Sequence, residues 1–536
     1  MQPRRALLLD AWVRLGAVLL VAILANLLAA RHFARLDLTR DHLYTLSETS
    51  RAIAGRLEKP LLVKVYFTRG LEAPYNNHEQ VFVDRLEEFR AYSRGRMEVS
   101  VVDPTGSGEL EEEARRFGIQ PIQYRYQGTD RAELKRVFMG ASFVYGERQE
   151  ALEAVTLLGT MEYEIARVLK RLLVDERPTI GFTSGSAEVD VLRAGGPLET
   201  LRAELAESYE VVQIPLGAEA GVPEAVDALL MVGPQQPVSE RTRYQLDQYL
   251  LRGGSLGVFL THVRPDLRTL RPEAIYTALE SLLGPWGVSV RRDLVLDRTQ
   301  NGLLRVPVRR GRYIVQMPVN HPLVPRITDL APDSLVVKGL GQLIFPFASS
   351  LELADPLPPG VEAQVLARAS RQASRIRSIR TVDPTAFKTP APGEEVGAWP
   401  VLVALTGAFP SAFSDLPIPP AVSPISPGAG SLPEDEAGAR ITEGAPARLV
   451  VCGSADAVAN NVGLVLNVVD WMVQDEDLIR IRTKSLTLPP LEKPDPAALA
   501  WMRVTDAIGG ILVLFLFGLG RWLWRRRVPR YREVRP

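Results

Sequence analysis

An uncharged apolar run that passes directly into a polar signature sets the boundary conditions for this chain. Leu15 to Ala30 carries no charged side chain, and with Trp12 to Arg14 it supplies the ~20 residues needed to cross a hydrocarbon core. Arg4, Arg5 and Arg14 sit at its start, so the positive-inside rule places the N-terminus in the cytoplasm. A cleaved signal peptide is the alternative, since Leu27 to Ala30 ends the run on small residues. The run is nevertheless longer than the ~7–15 apolar residues of such peptides. A second uncharged run, Ala507 to Gly520, is followed by Arg521, Trp522, Trp524 and a tail containing Arg525, Arg526, Arg527, Arg530 and Arg532. A snorkelling Arg521 and interfacial tryptophans extend it to a span over 507–524, with the basic tail on the cytoplasmic side. Two transmembrane helices, 12–30 and 507–524, leave the intervening chain outside the cytoplasm.

That chain is long enough for two or three cores. Of its 536 residues, 46% are hydrophobic and 24% charged, which is ordinary globular composition. Sixty-three basic residues balance sixty-three acidic ones, and the basic excess gathers at the membrane ends, so nothing points to nucleic acid. A single cysteine, Cys452, allows no disulfide framework. His32, His42, His78, His262 and His321 are scattered without HExxH or paired spacing, and no metal or cofactor site is expected. A phosphate-binding G-x-x-x-x-G-K-[ST] loop is also missing, so any nucleotide hydrolysis belongs to a partner.

Just past the anchor, Thr45-x-x-Glu48 reads as a capping box, with Ser47 an alternative N-cap. LLVKVYFT at 61–68 is a strand; Val81, Phe82, Leu86 and Phe89 share one helical face. Met97–Val102 is a second strand ending at Asp103-Pro104, and an acidic helix and the extended segment GIQPIQYRY follow. Val137–Tyr145 and Gln149–Val155 form a hairpin, closed by a helix with Ile165, Val168, Leu169, Leu172 and Leu173 on its apolar stripe. This order, over 36–175, is that of a thioredoxin-like domain, with Gln120-Pro121 near the proline that fold keeps before its third strand. RGLEAPYNN after the first strand contains no cysteine, so the redox chemistry is missing.

From 176 to 410, apolar strands of four to six residues alternate with helices, which predicts a parallel, doubly wound sheet of amidotransferase-like type, covered on both faces. Its strand-end crevice is where such sheets bind ligands. There the fourth strand runs into Thr261-His262, with no cysteine and no G-x-S-x-G elbow; a lone His262 lacks a nucleophile to serve. Ser184-Gly185-Ser186 offers a turn that could cradle an anion at a helix N-terminus. Asn320-His321-Pro322 reads as a turn, and Arg368, Arg371, Arg375, Arg377 and Arg380 as a solvated face. Residues 415–446 form a Pro/Gly/Ala-rich linker, and 447–488 return to the α/β region with a strand ending at Cys452 and an apolar-faced helix.

With these segments placed, the chain resembles the GldG-like family of ABC-transporter auxiliary proteins. The resemblance rests on LDLTRDHLYTLSETS (Leu36, Asp37, Leu38, Thr39, Tyr44, Thr45, Leu46, Ser47), the segment ending at Asp103-Pro104, and GFTSGSAE with Gly185 and Glu188. Further marks are VDALLMVGPQQPVSERTRYQLDQYLLRGGSLGVFL with Asp247, Gly253 and Gly254, then LTGAFPSAF, and NVVDWMVQDEDLIRIR with Asn467 and Trp471. The middle segment is also similar to a domain of an intraflagellar-transport protein. Where the family reads G-D-S-D after the late strand, this chain has Gly453-Ser454-Ala455-Asp456, without the first acidic residue. The resemblance implies a non-enzymatic, extracytoplasmic subunit at the bacterial inner membrane, both termini cytoplasmic. It would work beside a separate ABC permease and ABC ATPase, with possible periplasmic cargo and no cofactor. Two alternatives stay open: a periplasmic solute-binding protein using the crevice near Ser184–Glu188, and a hydrolase or amidotransferase using His262.

Overall fold

A computed structural model of the chain describes residues 45–127, 132–174, 177–218, 220–310, 312–420, 440–474, 481 and 517–522. The chain divides into two units, Met1–Leu486 and Thr487–Pro536, and in the second unit residues 517–522 are helical. Among the described residues no helix is long and apolar enough to cross a membrane. The expected span at 12–30, all of 507–524 except 517–522, and the signature up to Tyr44 lie outside the described residues.

Near the start of the first unit, alternation of apolar and polar residues sets a strand, β1 (Leu61–Phe67), whose Leu61, Val63, Val65 and Phe67 all turn inward. It pairs in parallel with β2 (Met97–Val102) and antiparallel with β5 (Met139–Tyr145), which pairs antiparallel with β6 (Arg148–Leu152). The sheet order is β2-β1-β5-β6. Helices α1 (Glu48–Gly55), α2 (His78–Tyr92) and α4 (Met161–Leu173) cover one face, packing Ile53, Phe82, Leu86, Phe89, Ile165, Val168, Leu169 and Leu172 against it. The apolar stripes read from the sequence are therefore the buried ones. On the other face α3 (Gly108–Arg116) brings Ala114 to Tyr66 and Phe138. Between α3 and β5 a separate hairpin, β3 (Ile122–Gln127) with β4 (Ala132–Val137), is inserted. Pro121 therefore opens this hairpin, and Phe138 rather than a proline precedes β5.

The second sheet has eight strands. In spatial order they are Asp329–Leu330, Val361–Arg368, Pro400–Pro410, Glu443–Cys452, Ser255–Phe259, Val226–Val232, Thr179–Ser184 and Glu210–Pro215. In chain order they are β7 (179–184), β8 (210–215), β9 (226–232), β10 (255–259), β13 (329–330), β14 (361–368), β15 (400–410) and β16 (443–452). Residues in the central strands are apolar at almost every position, so successive side chains feed two opposite cores. Ala228, Leu230 and Val232 face α5 (Glu199–Ala206) and α8 (Val462–Met472); Leu229 and Met231 face α6 (Glu240–Leu251) and α7 (Glu280–Leu283). The expectation of an all-parallel sheet is corrected here. Only β8, β7, β9, β10 and β16 run parallel, while β15, β14 and β13 are antiparallel to their neighbours. The cause lies in the connections. β15 returns beside β16 with no crossover helix among the described residues between them, and β14 alternates apolar and polar residues as a strand with one wet face does. The late segment is also not an appendage, because β16 lies in the middle of the sheet between β10 and β15.

Between β10 and β14 a long ribbon projects, formed by β11 (Asn301–Arg310) and β12 (Tyr313–Ile327). Pairing runs from Gly302–His321 out to Arg310–Tyr313. Asn320-His321-Pro322 is thus strand rather than turn. His321 is held at the ribbon's root, one ring nitrogen 2.8 Å from Val382 O and the other accepting Leu323 N at 3.1 Å. Those two bonds require neutral imidazole with the proton on Nε2.

Candidate functional site

The end of the N-terminal signature is fastened to the body of the protein. Leu46 is buried in the core with Ile53, Phe89 and Leu169. Ser47 is the N-cap of α1, its hydroxyl accepting from Ser50 N at 3.1 Å. Glu48 does not reciprocate as a capping box on Thr45 requires. The reciprocal carboxylate comes from Glu162 at the start of α4: Oε1 accepts Ser47 N at 2.7 Å and Ser50 Oγ at 2.8 Å. A capping box is completed here across 115 residues. Sequence reasoning missed Glu162 because the expected partner of a cap lies three residues on.

At the carboxyl ends of β1 and β2 stands a network of hydroxyl and carboxylate groups. Thr68 N donates to Phe138 O at 2.9 Å, and the Thr68 hydroxyl accepts both Phe138 N and Thr105 Oγ1 at 3.0 Å. Asp103 accepts Arg69 N and Thr105 N. Burial pushes the Asp103 carboxyl upward, but the bonds from Thr105 and Arg69 outweigh it and hold the group below the usual carboxylate range. Pro104 is buried beside it. A cavity of about 460 Å³ opens here, lined by Thr68, Arg69, Glu111, Pro121 and Arg136.

The crevice of the large sheet is laced by its own loops. Gly185 has φ +129° and lies so close to the chain after β8 that a Cβ would meet Leu216 O at 2.9 Å. No helix starts at Ser184-Gly185-Ser186; α5 begins only at Glu199. The turn's anion place is taken by Glu188, which accepts Ser186 N at 2.6 Å and Thr183 Oγ1 at 3.3 Å. Ser186 O in turn accepts Gln235 N and Gln236 N, tying the ends of β7 and β9. Thr261 Oγ1 accepts Ala455 N and Leu260 N donates to Cys452 O, so the ends of β10 and β16 are also joined, and Ser349 N donates to Gly453 O beside them. His262 is buried, and neither ring nitrogen meets a partner in hydrogen-bonding geometry. Burial lowers its pKa, against a weaker upward pull from Glu280 and the backbone of Ile275 and Val290. Cys452 is fully buried and its thiol is pushed up to about 12, which removes it as a nucleophile.

The other motif positions act as internal fasteners. Asp247 on α6 is fully buried and accepts Ser411 Oγ and Ala412 N, both at 2.8 Å, gripping the segment after β15. Gly253 has φ +98°, and a Cβ on Gly254 would strike Tyr249 at 2.6 Å, so this turn admits only glycines. Asn467 Nδ2 donates to Val336 O at 3.1 Å. Arg448 donates to Trp471 O and lies over the Trp471 ring, 4.9 Å from its centroid. The basic run holds a surprise at Arg375, which is no solvated cation: it pairs with Glu352 at 2.9 Å and Glu395 at 2.6 Å and lies 3.9 Å over Trp399. A groove of about 670 Å³ nearby is lined by Arg243, Tyr276, Glu280, Arg291, Arg292 and Arg377. Its charges are paired off, Arg292 with Glu280 at 2.8 Å and Arg377 with Glu395 at 3.1 Å.

A sheet-centred body whose strand ends are joined by their own loops defines a mixed α/β protein. Residues 177–475, more than half of the chain, match the family model described as an ABC-type uncharacterized transport system, and the chain belongs to this family of ABC transport auxiliary proteins. Residues 40–144 match a domain of unknown function. The chain is 19% identical over 390 residues to an uncharacterized protein of Borreliella burgdorferi, covering 71% of this chain and 74% of the relative. Among solved structures, the N-terminal domain of mmIFT52 is matched at 14% identity and a TM-score of 0.31, covering 55% of this chain and 97% of that one. An exo-beta-1,4-mannosidase from Opitutaceae bacterium strain TAV5 is matched at 10% identity and a TM-score of 0.22, covering 75% and 49%. Neither score is high enough to carry an argument about fold or function.

Proposed function

We propose that this chain is a GldG-like, non-enzymatic subunit of an ABC transport system, anchored in the bacterial inner membrane by spans at 12–30 and 507–524, both termini in the cytoplasm. Its body, outside the cytoplasm, is a scaffold that engages a separate permease and carries or contacts cargo, while a separate ATPase supplies energy. Membership in the auxiliary family supports the transport setting. The order β2-β1-β5-β6 with one antiparallel turn-back supports a thioredoxin-like first domain without its thiols, and five parallel strands between helical layers support an amidotransferase-like second domain.

The observation that carries the reading is the pair of hydrogen bonds that Ser47 N and Ser50 Oγ donate to Glu162 Oε1. It fixes the segment leaving the first span to the body through a core helix, so movement of the span becomes movement of the body. Affinity purification of the full chain in mild detergent is expected to recover a multi-span permease and an ATPase. Glu162→Ala is expected to leave that recovery intact while uncoupling substrate-stimulated ATPase activity. Failure to recover either partner, or coupling unaltered in the variant, would overturn the reading.

A further inference from the structure

The cavity of about 460 Å³ in the first domain draws its walls from separate stretches of chain. The segment leaving β1 supplies Thr68, Arg69 and Leu71, α3 presents Glu111, and the outgoing strand of the β3–β4 hairpin supplies Arg136 on its way to Phe138. β1 and β2 are parallel neighbours, and the carboxyl ends of such strands are where an α/β sheet leaves room for a ligand. The volume falls in the ~300–1,000 Å³ range of small-molecule sites. Its walls are set by the protein's own bonds. Thr68 N donates to Phe138 O and the Thr68 hydroxyl accepts Phe138 N, which joins β1 to the end of the hairpin. Asp103 accepts Arg69 N at 3.2 Å and Thr105 N at 2.9 Å, which joins the loops after β1 and β2.

Around this cavity donors outnumber acceptors. The Thr68 oxygen already accepts from Phe138 N and Thr105 Oγ1, so its own O–H is left to donate, and no acceptor for it stands among the described residues. Neither the Arg69 nor the Arg136 guanidinium makes an ion pair or a side-chain hydrogen bond among the described residues, although both line the cavity. Glu111 is the acidic lining residue, and Arg115 on the same helix already pairs with it at 3.3 Å. Asp103 feels the Arg69 charge, but its oxygens are taken by backbone amides. A single unpaired arginine is no signal of a site; Arg193, away from this cavity, is another. What sets Arg69 and Arg136 apart is that they come from different loops to one recess that also holds an unspent hydroxyl donor.

We propose that this cavity is a binding site for a small organic anion, Arg69 and Arg136 clasping the oxygens of a phosphate or carboxylate group while the Thr68 hydroxyl donates to the same group. A guanidinium presents its donors as a planar fork that matches paired oxygens, so two of them select an oxyanion over a neutral polar ligand. The remaining lining selects an organic body. Leu71 and Phe138 offer apolar surface, and the recess is larger than a bare inorganic oxyanion fills. The site belongs to the first domain alone and does not depend on the proposed spans or on contact with a permease.

The test is titration calorimetry on the full chain in uncharged detergent, with glycerol 3-phosphate, citrate and inorganic phosphate as probes. Saturable binding of at least one organic anion is expected, tighter than that of inorganic phosphate and weaker at high salt; which of the two binds better tells phosphate from carboxylate. Arg69→Gln and Arg136→Gln are each expected to weaken binding about tenfold or more, the loss of one charged hydrogen-bond partner. Both side chains are exposed, so the melting temperature of the free protein should not move. Arg193→Gln, the control, should leave the affinity within about twofold of wild type. Amide exchange at Thr68 and Phe138 should slow when the probe is bound. Absence of saturable binding by both organic anions would overturn the proposal, as would an equal loss in Arg193→Gln, which would mean attraction by diffuse charge. Slowed exchange with anionic lipid vesicles and none with the soluble probes would overturn it in favour of a membrane contact.

Discussion

Asp247 and His262 show what burial does to single ionisable groups here. Asp247 has donors around it from Ser411, Ala412 and Gln248, and still burial raises its pKa above the ordinary carboxylate value. Between the unfolded and folded values the native state binds more protons, so this residue's contribution to stability falls as pH rises through that window. Asp247→Ala leaves the Ala412 amide and Ser411 hydroxyl unpaired and is expected to cost ~3 kcal/mol, read as a denaturant midpoint shift at unchanged slope. For Asp247→Asn the loss relative to wild type should widen as pH is lowered toward 4, because only wild type regains stability by taking up a proton. His262 works with the opposite sign. Its folded pKa is lowered, so its stability is fully present above about 6.5 and is lost as pH falls below that value. His321 is lowered too, chiefly by burial, and acts in the same window. A melting temperature that falls between pH 7.5 and 5.5 is expected. His262→Phe should flatten part of that fall while costing little at pH 8, since neither ring nitrogen has a well-formed hydrogen bond among the described residues. A large loss of transport function in His262→Phe at full stability would instead restore the enzymatic alternative.

Helix α1 is eight residues long, too short to be stable by itself. It persists because Ile53, Ala54 and Leu46 enter the core and because Glu162 completes its cap. Glu162→Ala is expected to destabilise the first domain by ~2 kcal/mol. Amide exchange of Ser47 and Ser50 should accelerate far more than that of β1, which distinguishes release of this helix from general unfolding. A similar logic governs residues 421–439. Their flanks are already held by β15 paired with β16 and by Asp247 on Ser411 and Ala412. Replacing them with a short Gly/Ser linker should change stability by less than ~1 kcal/mol, because closure entropy varies only with the logarithm of loop length.

For the whole molecule, the arrangement assigns different work to different surfaces. One end of the first domain is fixed where Ser47 and Ser50 bond Glu162, and the large sheet supplies the body's core. Cysteine pairs between Thr49 and α4 are expected to crosslink equally with and without ATP in membranes containing the whole transporter, since that joint moves as one piece. Pairs placed between Arg35 and the permease should be nucleotide-dependent. The reverse pattern would place the hinge inside the body and separate it from the membrane.

The sequence by itself determined the elements and their inward faces, because periodicity of 2 and 3.6 reports burial locally: the stripes on α2 and α4 and the apolar strands β7, β9 and β10 are where the pattern put them. It also placed the chain among ABC transport auxiliary proteins, through motifs that remain recognisable in linear order. Tertiary structure alone decided the rest. That β16 inserts between β10 and β15, that β15 runs antiparallel, that His321 stands in a strand, and that Arg375 is a half-buried hub all depend on partners tens of residues away. So do the contacts of Glu162 with Ser47 and of Asp247 with Ser411. A hydrogen bond or ion pair across 100 or more residues leaves no periodic trace in the chain, and only the folded neighbours supply the second half of each bond.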